Sequence, residues 1–173
     1  KTFDWLLFGF LAALGVLSHY LFFYLLIAID IFLLYMIIKN KIDFKCLISL
    51  LSFSLAVLPH FVWVVNNNYQ TFTYALKRTG LEQTHVLDHI YNPLIFLAKQ
   101  IGILIPFTLM ILFLISKINI KFNLKDEKFL FLSAINIIPI LLIFLTSLLT
   151  GAQLKTMWVT PFYLFIGVMF LYA

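Results

Sequence analysis

Long apolar runs, separated by short polar stretches, make up most of this sequence. A helix that crosses a hydrocarbon core of about 30 Å needs roughly 20 apolar residues, and most of these runs come close to that length. The first run, residues 5–38, would form a single helix about 51 Å long, which is more than one crossing requires. Residues 15–20 (GVLSHY) place a glycine and polar side chains inside this run. They therefore predict a break near 18–20 that divides the run into a hairpin of two helices.

The same pattern predicts an all-α fold in which the whole chain belongs to one multi-pass transmembrane helical bundle, with short interfacial helices on its external side. The predicted spans cover approximately residues 4–18, 21–38, 46–65, 94–116, 129–149 and 158–173. The last run is shorter than a full crossing, and the sequence begins at Lys1 rather than at a methionine. We therefore expect residues 1–173 to be a fragment of a longer protein.

The composition of the chain supports this membrane class. Hydrophobic residues make up 64% of the 173 residues and charged residues 11%. In a soluble domain about a quarter of the residues are charged. The net charge of +5 does not indicate nucleic-acid binding, because the positive residues lie beside apolar runs, so the expected partners are membrane lipids and no nucleic acid. The single cysteine, Cys46, excludes an internal disulfide.

The basic residues between the runs predict the orientation of the chain, since Lys and Arg are enriched on the cytoplasmic side of a membrane. Most of them fall on one predicted face: Lys1, Lys39, Lys41, Lys45, Lys117, Lys121, Lys125 and Lys128. If this face is cytoplasmic, the connections 66–93 and 150–157 and the turn at 18–20 are external. The smaller external set is Lys77, Arg78 and Lys155, with Lys99 inside a span but nearer the external face.

The external connection 66–93 contains a predicted amphipathic helix. The residues at the spacing of one helix face are Phe72, Ala75, Leu76 and Thr79. Gly80 follows at the position where a glycine commonly ends a helix. We expect this helix to lie at the membrane surface. Lys77 and Arg78 in its last turn have two interpretations: they complement the helix dipole and contact lipid headgroups, or they bind a phosphate group.

Other polar residues also have both structural and functional interpretations. If residues 84–90 are helical, His85 and His89 share one face at a spacing compatible with a metal, but the motif has no third ligand. Ordinary loop polarity and substrate contacts are the alternatives there. Lys99 is expected either to reach lipid headgroups or to bind substrate. Asp30, in the middle of a span, is expected to form a structural hydrogen bond rather than to act in catalysis.

Four stretches of the chain, in this order and spacing, resemble motifs of a known family: residues 15–20 (GVLSHY), 58–63 (LPHFVW), 71–78 (TFTYALKR) and 155–163 (KTMWVTPFY). They are similar to the middle of GT-C-type membrane glycosyltransferases, the superfamily of the protein O-mannosyltransferases and the lipid A aminoarabinose transferases. The resemblance implies transfer of a sugar from a polyprenyl-phosphate carrier to a lipid, glycan or protein acceptor. It also implies an integral protein of the bacterial inner membrane, with its active site on the external, periplasmic side.

On this resemblance, the donor phosphate is bound by cations of the external face: Arg78, Lys77, Lys155 and Lys99. Arg78 falls where the aminoarabinose transferases carry an arginine in a similar helix. Lys155 falls near the external lysine that precedes their last Tyr/Trp-x-x-Pro segment. The external candidates for a substrate pocket are His19, Tyr69, His85, Asp88 and His89. The family's glycine-rich turn carries lysine at the position of His19, whereas His19 and His60 are by themselves more typical of hydrogen-bonding side chains than of ligands.

The catalytic residue is expected outside this chain, because the family's catalytic acid lies in the first external loop, upstream of these residues. That carboxylate would activate the acceptor hydroxyl while cations stabilise the departing phosphate in an inverting displacement. No cofactor is expected, and a divalent metal is the open alternative. The alternative function is a membrane transporter or lipid-carrier flippase, which would use broken helices and charges near the membrane midplane, such as Asp30.

Overall fold

The computed structural model describes residues 2–81, 84–114, 123 and 125–172, and every regular element within them is helical. The predicted all-α class is therefore confirmed for the described part of the chain. The α-helices are α1 (Thr2–Ser18), α2 (Phe22–Ile38), α3 (Ile48–Asn66), α4 (Gln70–Arg78), α5 (Asp88–Leu114), α6 (Glu127–Thr150) and α7 (Ile166–Tyr172). Short 3₁₀ turns occupy Phe44–Leu47, Thr156–Trp158 and Thr160–Tyr163. The chain divides into two compact units, Lys1–Ala75 and Leu76–Ala173.

Among the described residues, three helical stretches are long and apolar enough to cross a membrane: Phe44–Asn66, Asp88–Phe113 and Glu127–Thr150. Three further apolar helices are shorter: Thr2–Ser18, Phe22–Ile38 and Thr160–Tyr172. The number of membrane crossings stays a prediction. Several predicted positions lie outside the described residues, namely Lys1, Lys117, Lys121 and the ends of the predicted spans 94–116 and 158–173.

In the first unit, α1 and α3 pack against each other at close range. Gly9 of α1 lies against the backbone of Ser49 in α3, and a Cβ atom at residue 9 would collide with that backbone. Ser52 Oγ donates a hydrogen bond of 2.7 Å to the carbonyl oxygen of Leu6. A glycine is therefore needed at residue 9, because a larger side chain would push the two helices apart.

The predicted break between the first two helices is present. α1 ends at Ser18 and α2 begins at Phe22, on either side of the turn. Ser18 Oγ donates to the carbonyl oxygen of Gly15 (2.8 Å) and so adds a hydrogen bond to a carbonyl group at the helix end. The residues that pack together in this unit are Ala12, Val16 and Leu26, with Phe22 and Phe53 against them. The division of residues 5–38 into two helices is therefore confirmed, whereas their insertion into a membrane stays a prediction.

In the second unit, α5 packs beside α6, and polar side chains of α5 hold the end of α6. His89 Nδ1 donates to the carbonyl oxygen of Leu148 (3.0 Å), and Asn92 Nδ2 donates to the carbonyl oxygen of Gly151 (2.6 Å). Gly151 ends α6 with φ +72°, a left-handed conformation that costs glycine little. The chain then leaves α6 in a direction that these two hydrogen bonds help to define.

Within the predicted segment 158–173, the described residues 158–172 form one apolar stretch that is interrupted by turns and is not a continuous α-helix. Two 3₁₀ turns, Thr156–Trp158 and Thr160–Tyr163, precede the short α7. Pro161, at the start of the second turn, has no N–H group for a helical hydrogen bond. Val159 and Phe162 are buried, so packing against the rest of the unit stabilises the irregular turns.

Candidate functional site

The predicted amphipathic helix is present as α4, and none of its residues is buried. Asn68 and Tyr69 precede it with φ values of +54° and +55°, so two consecutive left-handed residues turn the chain out of α3. Gly80 has φ +72°, and its N–H donates to the carbonyl oxygen of Lys77 (3.2 Å). The helix and its terminating glycine are therefore confirmed. The location of α4 at a membrane surface stays a prediction.

The end of α4 lies beside the segment that follows α6. The backbone N–H of Gln153 donates a hydrogen bond of 2.9 Å to the carbonyl oxygen of Thr79. The guanidinium carbon of Arg78 lies 5.4 Å from the centroid of the Trp158 ring, within the range of a cation–π interaction. Lys155 is exposed and lies between these two contact points along the chain. Its backbone is therefore held near the end of α4.

The predicted phosphate-binding cations belong to α4, α5 and the segment that follows α6. Lys77 is exposed in the last turn of α4, next to Arg78. Lys99 is an exposed residue of α5, about 17 Å along the helix axis from Asp88. Arg78 and the segment that contains Lys155 are thus brought together, while phosphate binding by Arg78, Lys77, Lys155 and Lys99 stays a prediction.

His85 and His89 do not share a helix face, because α5 begins only at Asp88. The backbone N–H of His85 donates to Asp88 Oδ2 (2.7 Å), so this carboxylate stabilises the turn that leads into the helix. His89 is bonded to the end of α6, as described above. Within the part of the chain that the structure describes, no group of three or more His, Cys, Asp or Glu side chains could hold a metal ion. The predicted histidine pair required residues 84–90 to be helical, and they are not helical throughout. Asp88 and His89 each form a hydrogen bond within the second unit.

In the first unit, aromatic side chains from three elements meet around Tyr20 and His60. The Tyr20 hydroxyl lies 2.7 Å from His60 Nε2 and forms a hydrogen bond with it. The Tyr20 ring is parallel to the Phe72 ring, with 6.1 Å between the centroids, and the His60 ring stacks on Trp63 at 5.9 Å. Phe72 also contacts Tyr69, with 6.4 Å between the ring centroids. These contacts join the turn after α1 to α3 and α4.

Three residues of this region were singled out from the sequence: His19, His60 and Tyr69. His60 has the hydrogen-bonding role that the sequence suggested. Tyr69 lies in the aromatic cluster, whereas the His19 side chain is exposed at the turn and has no partner among the described residues. Sequence analysis missed the cluster itself. The available signal was the presence of aromatic residues near the ends of apolar runs, but such residues are also typical of membrane interfaces.

Sequence analysis also missed two partners in the second unit. Trp158 was identified only as part of a motif and not as the partner of Arg78. Tyr163 Oη donates a hydrogen bond of 2.6 Å to Oε1 of Gln100, a residue with 4% exposure. Gln100 Nε2 and the buried Asn136 Oδ1 have no hydrogen-bond partner among the described residues. Amides inside apolar runs were the signal for these buried polar groups.

Comparison with known proteins identified no relative of this chain. No protein-family model matches the chain, and no curated protein or solved structure is significantly similar to it. The similarity to GT-C-type glycosyltransferases therefore depends on the four motifs, and a function must be argued from the geometry around Arg78.

Proposed function

We propose that this chain is part of a multi-pass membrane glycosyltransferase that moves a sugar from a polyprenyl-phosphate carrier to an acceptor on the external face. Arg78 binds the phosphate of the donor, and Lys77 and Lys155 add positive charge beside it. The observation that carries the proposal is the proximity of Arg78 to the segment containing Lys155 and Trp158. The four-motif resemblance supplies the reaction class.

The exposed apolar surface of the helices supports placement in a membrane. In Phe44–Asn66, only 11% of the 18-residue apolar stretch is buried inside the protein, and the fraction is the same in Asp88–Phe113. Large side chains such as Leu51 and Leu55 of α3 are 60% and 62% exposed. Leaving a leucine side chain in water instead of an apolar environment costs about 1.5–3 kcal/mol. Lipid tails would cover these side chains without that cost, so a bilayer is the solvent that suits this surface.

The pairing of Arg78 with Trp158 is compatible with phosphate binding. A cation–π contact uses the face of the guanidinium group, whereas phosphate is bound by N–H groups in the guanidinium plane. The indole ring therefore restricts the orientation of the Arg78 guanidinium group. Lys77 and Lys155 contribute point charges on flexible side chains. Together the three cations favour an anionic group at the end of α4.

In a transfer reaction, these cations would stabilise the negative charge that develops on the departing carrier phosphate. The base that activates the acceptor hydroxyl is expected in another part of the protein, and we assign no catalytic residue within this chain. Asp88, the acidic residue in the first turn of α5, accepts a hydrogen bond from the backbone N–H of His85. The function of this chain in the reaction is thus to bind and position the donor.

A reconstituted transfer assay tests the proposed function. The full-length protein would be placed in liposomes with a radiolabelled polyprenyl-phosphate sugar and candidate lipid, glycan and peptide acceptors. The expected result is label in an acceptor together with release of polyprenyl phosphate. Movement of the labelled carrier between leaflets without transfer to any acceptor would contradict the proposal and favour a flippase.

A further inference from the structure

Asp30 is an ionisable residue in the middle of an apolar helix. It is the ninth of the 17 residues of α2, so about 12 Å of helix separates it from either end. Its side chain is exposed, and no hydrogen bond or ion pair reaches its carboxylate from the described residues. The structural hydrogen bond expected for Asp30 from the sequence is therefore not found in this part of the chain.

Asp30 lines two adjoining grooves in the first unit: one between α2 and the α1–α3 pair, and one between α2, the 3₁₀ turn Phe44–Leu47 and the start of α3. The first groove is lined mainly by apolar residues such as Phe8, Ala12, Phe23, Ile27 and Phe53. The second groove continues toward the other end of α2, along Leu33, Leu34, Ile37 and Leu47. Ser49 lines both grooves, but its hydroxyl already donates to the carbonyl oxygen of Cys46 (2.6 Å). Asp30 therefore faces a mainly apolar surface, and no described side chain that lines it donates a hydrogen bond to the carboxylate.

The surface around Asp30 is open on the side of α2. Leu34, one turn after Asp30, is 58% exposed, and Phe23 is 51% exposed. By contrast, α1 and α3 are in backbone contact at Gly9 and leave no space between them. The grooves beside α2 can thus receive another element, while the α1–α3 contact cannot.

The position of Asp30 decides the chemistry of that element. An unpaired carboxylate near the centre of a bilayer is costly, and such residues pair with one another or with opposite charges. An aspartate side chain is too short to reach headgroups about 12 Å away, so lipid cations do not solve the problem. A Lys or Arg side chain on a membrane-spanning helix can neutralise the carboxylate, because it lies at the same depth in the bilayer.

We infer that the grooves beside Asp30 receive a membrane-spanning helix of a partner protein, and that this helix places a Lys or Arg near its midpoint against the carboxylate. The inference rests on the membrane placement in the proposed function and does not require sugar transfer. Charge complementarity selects the partner: apolar side chains fill the grooves, and the basic residue fixes the depth of the helix.

Site-specific photo-crosslinking in native membranes tests this inference. A photoreactive amino acid would replace Leu34, which lines the groove, or Leu55, which is exposed on α3 and lines neither groove. The Leu34 probe should yield an adduct with an apolar peptide that contains a Lys or Arg, identified by mass spectrometry. The adduct yield should fall at least about tenfold with Asp30→Leu and persist with Asp30→Glu. The Leu55 probe should capture lipid only.

A charge exchange completes the test. Replacing the basic residue of the captured peptide by Asp should abolish the adduct, and combining that change with Asp30→Lys should restore it. Three results would overturn the inference: capture of lipid alone at Leu34, an adduct with a peptide from another part of the same polypeptide, or a peptide adduct that is unchanged in Asp30→Leu. If Asp30→Leu does not accumulate, Asp30→Asn is to be used, and the same loss is expected. A negative crosslink with normal sugar transfer would refute only the helix partner, whereas a positive crosslink without transfer would refute only the enzyme.

Discussion

The guanidinium carbon of Arg78 lies 5.4 Å from the centre of the Trp158 ring. This contact joins the last residue of α4 to a 3₁₀ turn that is distant in the sequence. The hydrogen bond from the Gln153 N–H to the Thr79 carbonyl oxygen supports the same arrangement. Two short segments that are far apart in the sequence thereby lie side by side.

Removal of the Arg78 guanidinium should weaken use of the donor. A charge-assisted hydrogen bond to phosphate contributes about 1.5–3 kcal/mol, so Arg78→Ala should lower donor-limited turnover by about ten- to a hundredfold. Arg78→Lys should recover only part of this loss, because a lysine cannot form the bidentate contact. The measurement is the initial transfer rate of the full-length protein at limiting polyprenyl-phosphate sugar.

Two variants serve as controls for Arg78. Lys45→Ala, on the predicted cytoplasmic face, should leave the donor-limited rate unchanged. Trp158→Leu should lower it only about two- to fivefold, since an exposed cation–π contact contributes about 0.5–1 kcal/mol. Normal turnover by both Arg78 variants at limiting donor would show instead that Arg78 contacts lipid headgroups.

The predicted orientation places Asn67 and Asn123 on opposite sides of the membrane. Single cysteines would be introduced at each position in a Cys46→Ser background, because Cys46 is the one native thiol. A membrane-impermeant maleimide added to intact cells should label the cysteine at residue 67 and leave the one at residue 123 unlabelled until the membrane is opened. Labelling of both cysteines in sealed cells would refute this topology.

The hydroxyl of Tyr163 should stabilise the second unit through Gln100. Tyr163→Phe removes the 2.6 Å hydrogen bond and leaves the buried Gln100 amide without a partner on its oxygen, so we expect a loss of about 1 kcal/mol. In a Gln100→Leu background the same change should cost much less, because no buried amide is left unpaired. The free energies of unfolding would be measured in mixed micelles by titration with a denaturing detergent.

A cost of Tyr163→Phe that is the same in both backgrounds would show that the hydroxyl acts without Gln100. Tyr172→Phe is the matched control, since its hydroxyl bonds to a carboxylate at the surface and not to a buried amide.

The start of α6 should respond to acid through Asp126. The backbone N–H of Lys128 and then the Tyr172 hydroxyl donate to this carboxylate and hold its pKa below the ordinary value of 3.8. A lowered pKa in the folded state means that the stabilisation is complete above the unfolded-state pKa and is lost as the pH falls through the folded-state pKa. The melting temperature should therefore begin to fall as the pH drops below the ordinary value of 3.8, and should go on falling until the folded-state carboxylate is protonated.

The Asp126→Asn variant isolates this effect, because asparagine also caps a helix but does not titrate. It should show a smaller decrease in melting temperature over the same pH range. Tyr172→Phe should give an intermediate result, since only one of the two main donors is removed. A pH profile of Asp126→Asn identical to that of the native chain would rule out Asp126 as the titrating group.

Local sequence patterns determined which stretches of this chain form most of its helices. The break after Ser18 follows from the excess length of the first apolar run and from the polar residues in it. The end of α4 at Gly80 follows from the one residue type that adopts a positive φ at little cost. Both depend on residues within a few positions of each other, so no knowledge of the rest of the fold was needed.

The tertiary structure alone decided which of these elements meet and what their polar side chains contact. The His85–His89 spacing suggested a shared face, but the start of α5 at Asp88 separates the two residues, and His89 instead bonds to the end of α6. Trp158 lies in a 3₁₀ turn beside the buried Val159, and its ring lies 5.4 Å from the guanidinium carbon of Arg78, 80 positions earlier in the chain. Such contacts join residues far apart in the chain, and their formation depends on how the helices pack, which local hydrophobic periodicity does not encode.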